Sequence, residues 1–116
     1  SYFYLEPEVS VGDAIKRLED KGRTFGFVKD DKDKLLGYVR LRDLARIDDD
    51  RKLTDIAITA TTIRPASTLM EAISMMVTNG ITSAPVVNAR GRMLGVIRFR
   101  EIFQNVEELS GTAEEA

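Results

Sequence analysis

The stretch Gly91-Arg92-Met93-Leu94-Gly95-Val96-Ile97-Arg98-Phe99-Arg100-Glu101-Ile102 reads as an apolar strand that turns straight into a helix, with charged residues at the junction. The same pattern stands 58 residues earlier, as Asp33-Lys34-Leu35-Leu36-Gly37-Tyr38-Val39-Arg40-Leu41-Arg42-Asp43-Leu44. The register runs without a gap back to Leu5 and Ile63. Over those 40 positions ten pairs are identical: Pro7/Pro65, Ala14/Ala72, Ile15/Ile73, Gly22/Gly80, Thr24/Thr82, Val28/Val86, Leu36/Leu94, Gly37/Gly95, Arg40/Arg98 and Arg42/Arg100. Unrelated stretches of ordinary composition would share about two or three. Ser10/Thr68, Asp13/Glu71 and Leu18/Met76 are conservative pairs. An internal repeat of this period decides the architecture before any single element does.

The 116 residues suffice for one compact unit. Each repeat alone is in the size range where a hydrophobic core is marginal, so the two copies are expected to fold together. A composition of 43% hydrophobic and 31% charged residues is that of a globular chain. The net charge of -2 argues against nucleic acid as the main partner, because phosphate binding usually shows as a basic excess. The chain has no Cys and no His. That removes disulfides, thiolate nucleophiles, the usual zinc sites and His general bases. No apolar run approaches the ~20 residues of a membrane span and no secretory signal is visible, so no direct membrane span and a cytoplasmic location are expected. A first residue Ser followed at once by a strand points to a piece cut from a longer protein.

Along the chain, Phe3-Tyr4-Leu5 reads as a strand ended by Pro7. Ser10 then opens a helix as N-cap, with Asp13 three residues on in a variant of the capping box. Val11, Ala14, Ile15 and Leu18 give that helix one apolar face, and Gly22 ends it. Phe25 to Val28 and Leu35 to Val39 are strands around the polar turn 30–34, and Leu41, Leu44 and Ala45 begin a second helix. Asp48-Asp49-Asp50-Arg51-Lys52 is a solvated linker, and Leu53 to Ile58 a short helical turn. The second copy repeats the order. Thr61-Thr62-Ile63 is a strand, and Thr68 and Glu71 form a fuller capping box. Leu69, Ala72, Ile73 and Met76 form the buried face, and Gly80 ends the helix. Ala84-Pro85-Val86-Val87 is a strand whose Pro suits its first residue or an edge. Met93 to Ile97 is the next strand, and Phe99, Ile102, Phe103 and Val106 line the last helix. The tail from Glu107 has four Glu and no basic residue and is expected to be flexible. Met70, Met75, Met76 and Met93 read as core or helix-surface residues. The fold class is mixed α/β: two tandem β-α-β-β-α repeats related by pseudo-two-fold symmetry. Residues 1–47 form the first repeat, 48–58 the linker with its helical turn, 59–106 the second repeat and 107–116 the acidic tail.

This duplicated unit resembles the CBS domain pair, or Bateman module. The resemblance is carried by Gly80-Ile81-Thr82-Ser83-Ala84-Pro85-Val86-Val87, then Gly91 to Ile97 and the acidic Glu101. These look like the family's glycine, "P-V-V-D" and "G-hydrophobic-hydrophobic-T-x-x-D" signatures. The first repeat carries Gly22, Phe27-Val28, Gly37-Tyr38-Val39 and Asp43 but lacks the proline. The resemblance covers nearly the whole chain. It implies a regulatory module and not an enzyme, with two clefts that bind adenosine compounds: AMP, ADP, ATP, S-adenosylmethionine or cyclic di-AMP. It also implies a homodimer through the faces of the pair and a covalently attached host domain. One such host is the ATPase subunit of a glycine betaine/proline-type osmoprotectant ABC transporter, whose subunits often end in a CBS pair with a short acidic tail.

By the family pattern Asp43 and Glu101 accept the ribose hydroxyls, and Thr82, Ser83 and Ala84 line the second cleft. Thr62 and Ile63 lie where the family places backbone contacts to the base, and Thr24, Gly26, Tyr4 and Leu5 are the first-cleft equivalents. A strand-to-helix junction also offers backbone N–H groups to an anion, and apolar side chains and strand backbone suit adenine. The sequence departs from the pattern at Arg40 and Arg98, where the family has Thr or Ser. Arg cannot accept the N–H bonds that make Ser or Thr a helix cap. Two readings stand. Either Arg40 and Arg98 reach a phosphate through charge-assisted bonds, or they pair with Asp43 and Glu101 three residues on and partly close the clefts. Arg42 and Arg100 read as helix-surface residues.

A ligand-free structural dimerisation module is the alternative function. Its mark would be exposed apolar residues on the helix faces. An enzyme is disfavoured: there is no GxxxxGK[ST] loop, no GxGxxG, and Gly22-Arg23-Thr24-Phe25-Gly26 is not a phosphate loop. The carboxylates at 30–33 and 48–50 lie in polar turns with no spacing that selects a metal.

Overall fold

The computed structural model describes residues 2–102. Phe103, Val106 and the acidic tail lie outside the described residues. The first repeat contains β1 (Tyr4–Leu5), α1 (Val11–Asp20), β2 (Phe25–Lys29), β3 (Leu35–Arg40) and α2 (Leu41–Leu44). A 3-10 turn at Leu53–Asp55 follows. The second repeat contains α3 (Leu69–Asn79), β4 (Ser83–Val87) and β5 (Met93–Arg98), and helical backbone begins again at Phe99.

The helices start where the caps put them. The Ser10 hydroxyl accepts from the Asp13 N–H at 3.2 Å. Thr68 and Glu71 form the reciprocal box, with Thr68 Oγ1 accepting from the Glu71 N–H at 3.1 Å and Glu71 Oε1 from the Thr68 N–H at 3.3 Å. Gly80 closes α3 at φ 62°, a left-handed position that costs glycine little. The turns between paired strands are also matched. The Asp30 carboxylate accepts the Lys32 and Lys34 N–H groups, and the Asn88 amide oxygen, 58 residues on, accepts those of Arg90 and Arg92.

β1 pairs parallel with β2, and β2 pairs antiparallel with β3. In the second repeat β4 pairs antiparallel with β5. There the expected strand at residues 61–63 is reduced to a single parallel bridge, Ile63 with Val86. That bridge is the counterpart of Leu5 with Val28 in the first sheet. Pro85 is the third residue of β4 rather than its first, and β4 is the edge strand of the other reading, since its sheet has two strands. The Pro85 carbonyl accepts the Ile63 N–H at 2.9 Å.

Two cores lie between helices and sheets. Leu5, Val11, Ala14, Leu18, Val28, Val39, Leu44 and Leu53 make the first, and Ile63, Ala72, Met76, Ala84 and Ile102 the second. The expected buried face of α3 is only partly buried, since Leu69 is 54% exposed. Its counterpart Val11 is covered by the linker, whose Arg51 carbonyl accepts the Val11 N–H at 2.7 Å and whose Leu53 enters the core. Leu69 has no such cover among the described residues.

The repeats join about a pseudo-two-fold axis. Leu35 N–H donates to the Gly91 carbonyl at 3.2 Å, and Met93 N–H donates to the Asp33 carbonyl at 2.7 Å. A shift of 58 residues turns either bond into the other, so the axis passes by the Lys34–Arg92 bridge. The chain entering the second repeat also pairs with the first sheet, through Ile58 against Tyr38. At that crossing a Cβ on Gly37 would sit 2.2 Å from the Ile58 carbonyl oxygen, so only glycine fits.

Candidate functional site: a cleft between the repeats

Each strand-to-helix junction is pinned to the turn that precedes its own sheet. Leu41 N–H donates to the Thr24 carbonyl at 2.8 Å, and Phe99 N–H to the Thr82 carbonyl at 2.8 Å. The pseudo-two-fold axis then sets each junction opposite the helix-to-strand turn of the other repeat. Two clefts result, and they are not alike.

The open cleft has a volume of about 790 Å³. Its first wall belongs to repeat 1, with Phe25 and Phe27 from β2, Tyr38 and Arg40 from β3, and Leu41 and Arg42 from α2. Its second wall is repeat 2's, with the turn from Asn79 through Ser83, then Pro85. Thr59, Ala60 and Thr61 line it between the walls, held there by the Tyr38–Ile58 pairing. A volume of this order is that of a small-molecule pocket, typically ~300–1,000 Å³.

The pseudo-symmetric cleft retains only about 50 Å³. Tyr2 and Phe3 line it together with Val96 and Arg98. The repeat alignment extended toward the N-terminus sets Tyr2 against Ala60 and Phe3 against Thr61. Bulky rings thus stand where the open cleft has a methyl and a small alcohol. The rings are held in place. The Lys29 ammonium donates to the Tyr2 hydroxyl at 2.8 Å, lies 4.1 Å from the Tyr4 ring centroid and pairs with Asp33 at 2.8 Å. The Arg23 guanidinium covers the Phe3 ring at 5.5 Å.

Both arginines at the junctions pair with the acid three residues on. Arg40 Nε donates to Asp43 at 2.7 Å, and Arg98 Nη1 to Glu101 at 3.2 Å. The hydrogen bond that Arg40 donates to Asp43 holds the Arg40 pKa above its already high ordinary value. The Arg40–Asp43 pair does not close its cleft, because it lies along α2 and leaves the space between the walls open. α2 has four residues, too few for a helix-dipole anion site, and its N-cap Arg40 makes no side-chain capping bond.

Of the residues singled out in the sequence, Thr24, Arg40, Thr82 and Ser83 meet in the open cleft. Gly26 and Arg98 line the filled one, with Ser83 common to both. Leu5, Ile63 and Ala84 belong to the cores and line neither cleft. Tyr4 packs under Lys29, and Thr62 is exposed outside both clefts. Asp43 and Glu101 stand behind their arginines. Sequence reasoning grouped Thr24 and Thr82 into separate clefts. The axis brings them into one, because each cleft draws a wall from each repeat. It also missed Tyr38, Arg42 and Thr59 to Thr61. The available signal was the contrast of Tyr2-Phe3 with Ala60-Thr61, just beyond the end of the aligned register.

The sequence matches the CBS domain over residues 1–50 and again over 53–108. It is 28% identical over 102 residues to the inosine-5'-monophosphate dehydrogenase of Methanocaldococcus jannaschii, covering 86% of this chain but spanning only 21% of that protein. The fold is similar to that of Staphylococcus aureus OpuCA, with a TM-score of 0.80 at 22% identity, over 94% of this chain and 95% of that one. It is equally similar to CBSX2 solved in complex with AMP, at a TM-score of 0.80 and 22% identity, over 93% and 89% of the two chains. Among the described residues no helix is long and apolar enough to cross a membrane.

Proposed function

Because the chain belongs to the CBS domain family and carries the domain twice, a regulatory rather than catalytic unit, we propose that it senses an adenine nucleotide in its open cleft and passes the signal to an attached protein. The observation that carries this reading is the asymmetry of the clefts: one of about 790 Å³ walled by both repeats, the other filled by the chain's own rings. A ligand bridging the walls would fix their separation, which is how binding would reach a host. Phe25, Phe27, Leu41 and Ile81 offer apolar surface for a base. Thr24, Thr82 and Ser83 offer hydroxyls, and Asp43, paired with Arg40 and not among the residues lining the cleft, would have to turn into it to take the ribose. The AMP complex of a similarly folded protein supports the ligand class. S-adenosylmethionine and cyclic di-AMP belong in the same test.

That test is thermal denaturation against AMP, ADP, ATP, S-adenosylmethionine, cyclic di-AMP and buffer. A ligand that binds only the folded state adds about 2.7 kcal/mol at a hundredfold excess over Kd. The account expects a rise in Tm with an adenine nucleotide that Arg40→Ala reduces and Arg98→Ala does not. No rise with any compound at millimolar concentration would overturn it. For the attached protein we propose an osmoprotectant ABC transporter ATPase, supported by the acidic tail. An ATPase domain in the same reading frame would bear this out, and a dehydrogenase there would refute it.

One observation favours assembly as well. Leu69, Met70 and Val77 on α3 are 54%, 72% and 64% exposed, an apolar surface that suits a second copy of the chain. In the ligand-free reading this surface is the whole function. Sedimentation of Met70→Glu with Val77→Glu tests it: a monomeric variant from a dimeric parent supports the interface, and an unchanged mass refutes it.

A further inference from the structure

We infer that the outer edge of β5, with Leu94 and Leu69, is the docking surface for the polypeptide that joins an attached protein to residue 1, which it takes up as an added strand. This rests on the reading of an attached protein and not on the nucleotide. It makes the filled cleft the attachment side of the molecule.

The first repeat shows what such a segment does. Residues 51–58 wrap it: the Arg51 carbonyl accepts the Val11 N–H, Leu53 enters the core, and Ile58 exchanges both backbone bonds with Tyr38 on the outer edge of β3. Ile56 and Ala57 pack on the same core as Leu36, which is half-buried. The second repeat carries the same receiving positions 58 residues on, and among the described residues each is open. Leu69 stands for Val11 and is 54% exposed, and Leu94 stands for Leu36 and is 57% exposed. Val96 stands for Tyr38 and faces Pro85. Pro85 has no N–H to give, so the Val96 N–H and carbonyl turn away from β4, as those of Tyr38 turn away from β2. No other described residue bonds to them. Gly95 has open space where a Cβ on Gly37 would meet Ile58. An unpaired strand edge of this kind is completed by adding a strand.

Continuity names the occupant. Tyr2 and Phe3 line the filled cleft with Val96, just as Ala60 and Thr61 line the open one with Tyr38. Two residues before Ala60 is Ile58, and the same step back from Tyr2 reaches the residue ahead of Ser1, opposite Val96. Lys29 and Arg23 hold the rings that fix this line of entry. The occupant needs apolar side chains at the first, third and sixth positions ahead of Ser1, the places of Ile58, Ile56 and Leu53. The acidic tail does not suit, since the same shift brings Ala116, Glu114 and Gly111 to those places. Leu69 then belongs to this segment, and Met70 and Val77 to a second copy.

Amide hydrogen exchange tests this on the parent, on a chain with a copy of residues 51–58 joined ahead of Ser1, and on one with an equally long Gly/Ser stretch there. The Val96 N–H is expected to exchange at least about tenfold more slowly with the copy than in the other two, with Tyr38 alike in all three. The copy should also raise Tm. Gly95→Ala should cancel both gains in the copy-bearing chain and leave the parent's Tm nearly unchanged, since a Cβ there blocks the added strand as one on Gly37 would block Ile58. Val96 exchange unchanged by the copy would overturn the inference, while nucleotide titration would still decide the ligand reading by itself. A Val96 N–H already protected in the parent would overturn it too. Loss of that protection on deleting residues 107–116 would assign the edge to the tail, and loss on dilution would assign it to a second copy.

Discussion

Tyr38 and Ile58 exchange both of their backbone hydrogen bonds, each at 2.9 Å. This one pairing lays the start of the second repeat along the sheet of the first. It brings Thr59, Ala60 and Thr61 to the open cleft.

The pairing makes a testable demand on Gly37. A Cβ there would sit 2.2 Å from the Ile58 carbonyl oxygen, at a φ of 153° that side chains rarely adopt. Neither the backbone of Ile58 nor that of Gly37 can yield without breaking the exchange. Gly37→Ala should cost about 3 kcal/mol in chemical denaturation. Gly95 is its repeat counterpart and has open space around the same position. Gly95→Ala should stay within about 1 kcal/mol. Equal effects in the two variants would contradict the described crossing.

The filled cleft predicts one ligand per chain. Ala60→Tyr with Thr61→Phe would carry the plug from the filled cleft to the open one. Calorimetry should find one site in the parent and none in this double variant, with Tm little changed because both positions face the cleft. A stoichiometry of two in the parent would contradict the account of Tyr2 and Phe3.

The paired turns predict a pH effect with a definite sign. Asp30 is held below the ordinary carboxylate value of 3.8, first by the backbone bonds from Lys34 and Lys32. A carboxyl with a depressed folded pKa stabilises the protein fully above its unfolded pKa and loses that contribution as pH falls through the folded value. Stability should therefore fall with acid below about pH 3.8 in part through this turn. Asp30→Asn copies what Asn88 already does, keeping the two acceptor bonds without a titrating group. Its denaturation midpoint should depend less on pH below 4 than the parent's. An unchanged slope would contradict the assignment.

The capping boxes predict graded losses. Thr68→Ala removes the acceptor for the Glu71 N–H and breaks the reciprocal bond pair on α3. The cost should be about 1 kcal/mol by urea denaturation, with Thr68→Ser close to the parent. A neutral Thr68→Ala would mean that tertiary packing alone fixes the start of α3.

The repeat was legible because local chemistry repeats with it. Ser10 and Thr68 cap, Gly22 and Gly80 take left-handed backbone, and Asp30 and Asn88 fold the same turn. These interactions span a few residues, so spacing alone reveals them. The strand at residues 61–63 was over-read, because one bridge at Ile63 satisfies the edge of β4. The site was harder to read. Thr24 and Thr82 come together only through the axis at Lys34 and Arg92, a contact between repeats that no local pattern encodes. The burial of Leu5, Ile63 and Ala84 likewise follows from which face of each strand meets a helix. Strand alternation allows either face until the helix is placed.

An adenine nucleotide is expected to enter the open cleft and not the filled one. The most direct measurement is the amide spectrum of the 15N-labelled chain titrated with AMP. The account predicts saturable shifts at Thr24, Arg40, Arg42, Thr82 and Ser83, with Tyr2, Phe3 and Val96 unmoved. No saturable shifts, or shifts centred on Phe3, Val96 and Arg98, would contradict it.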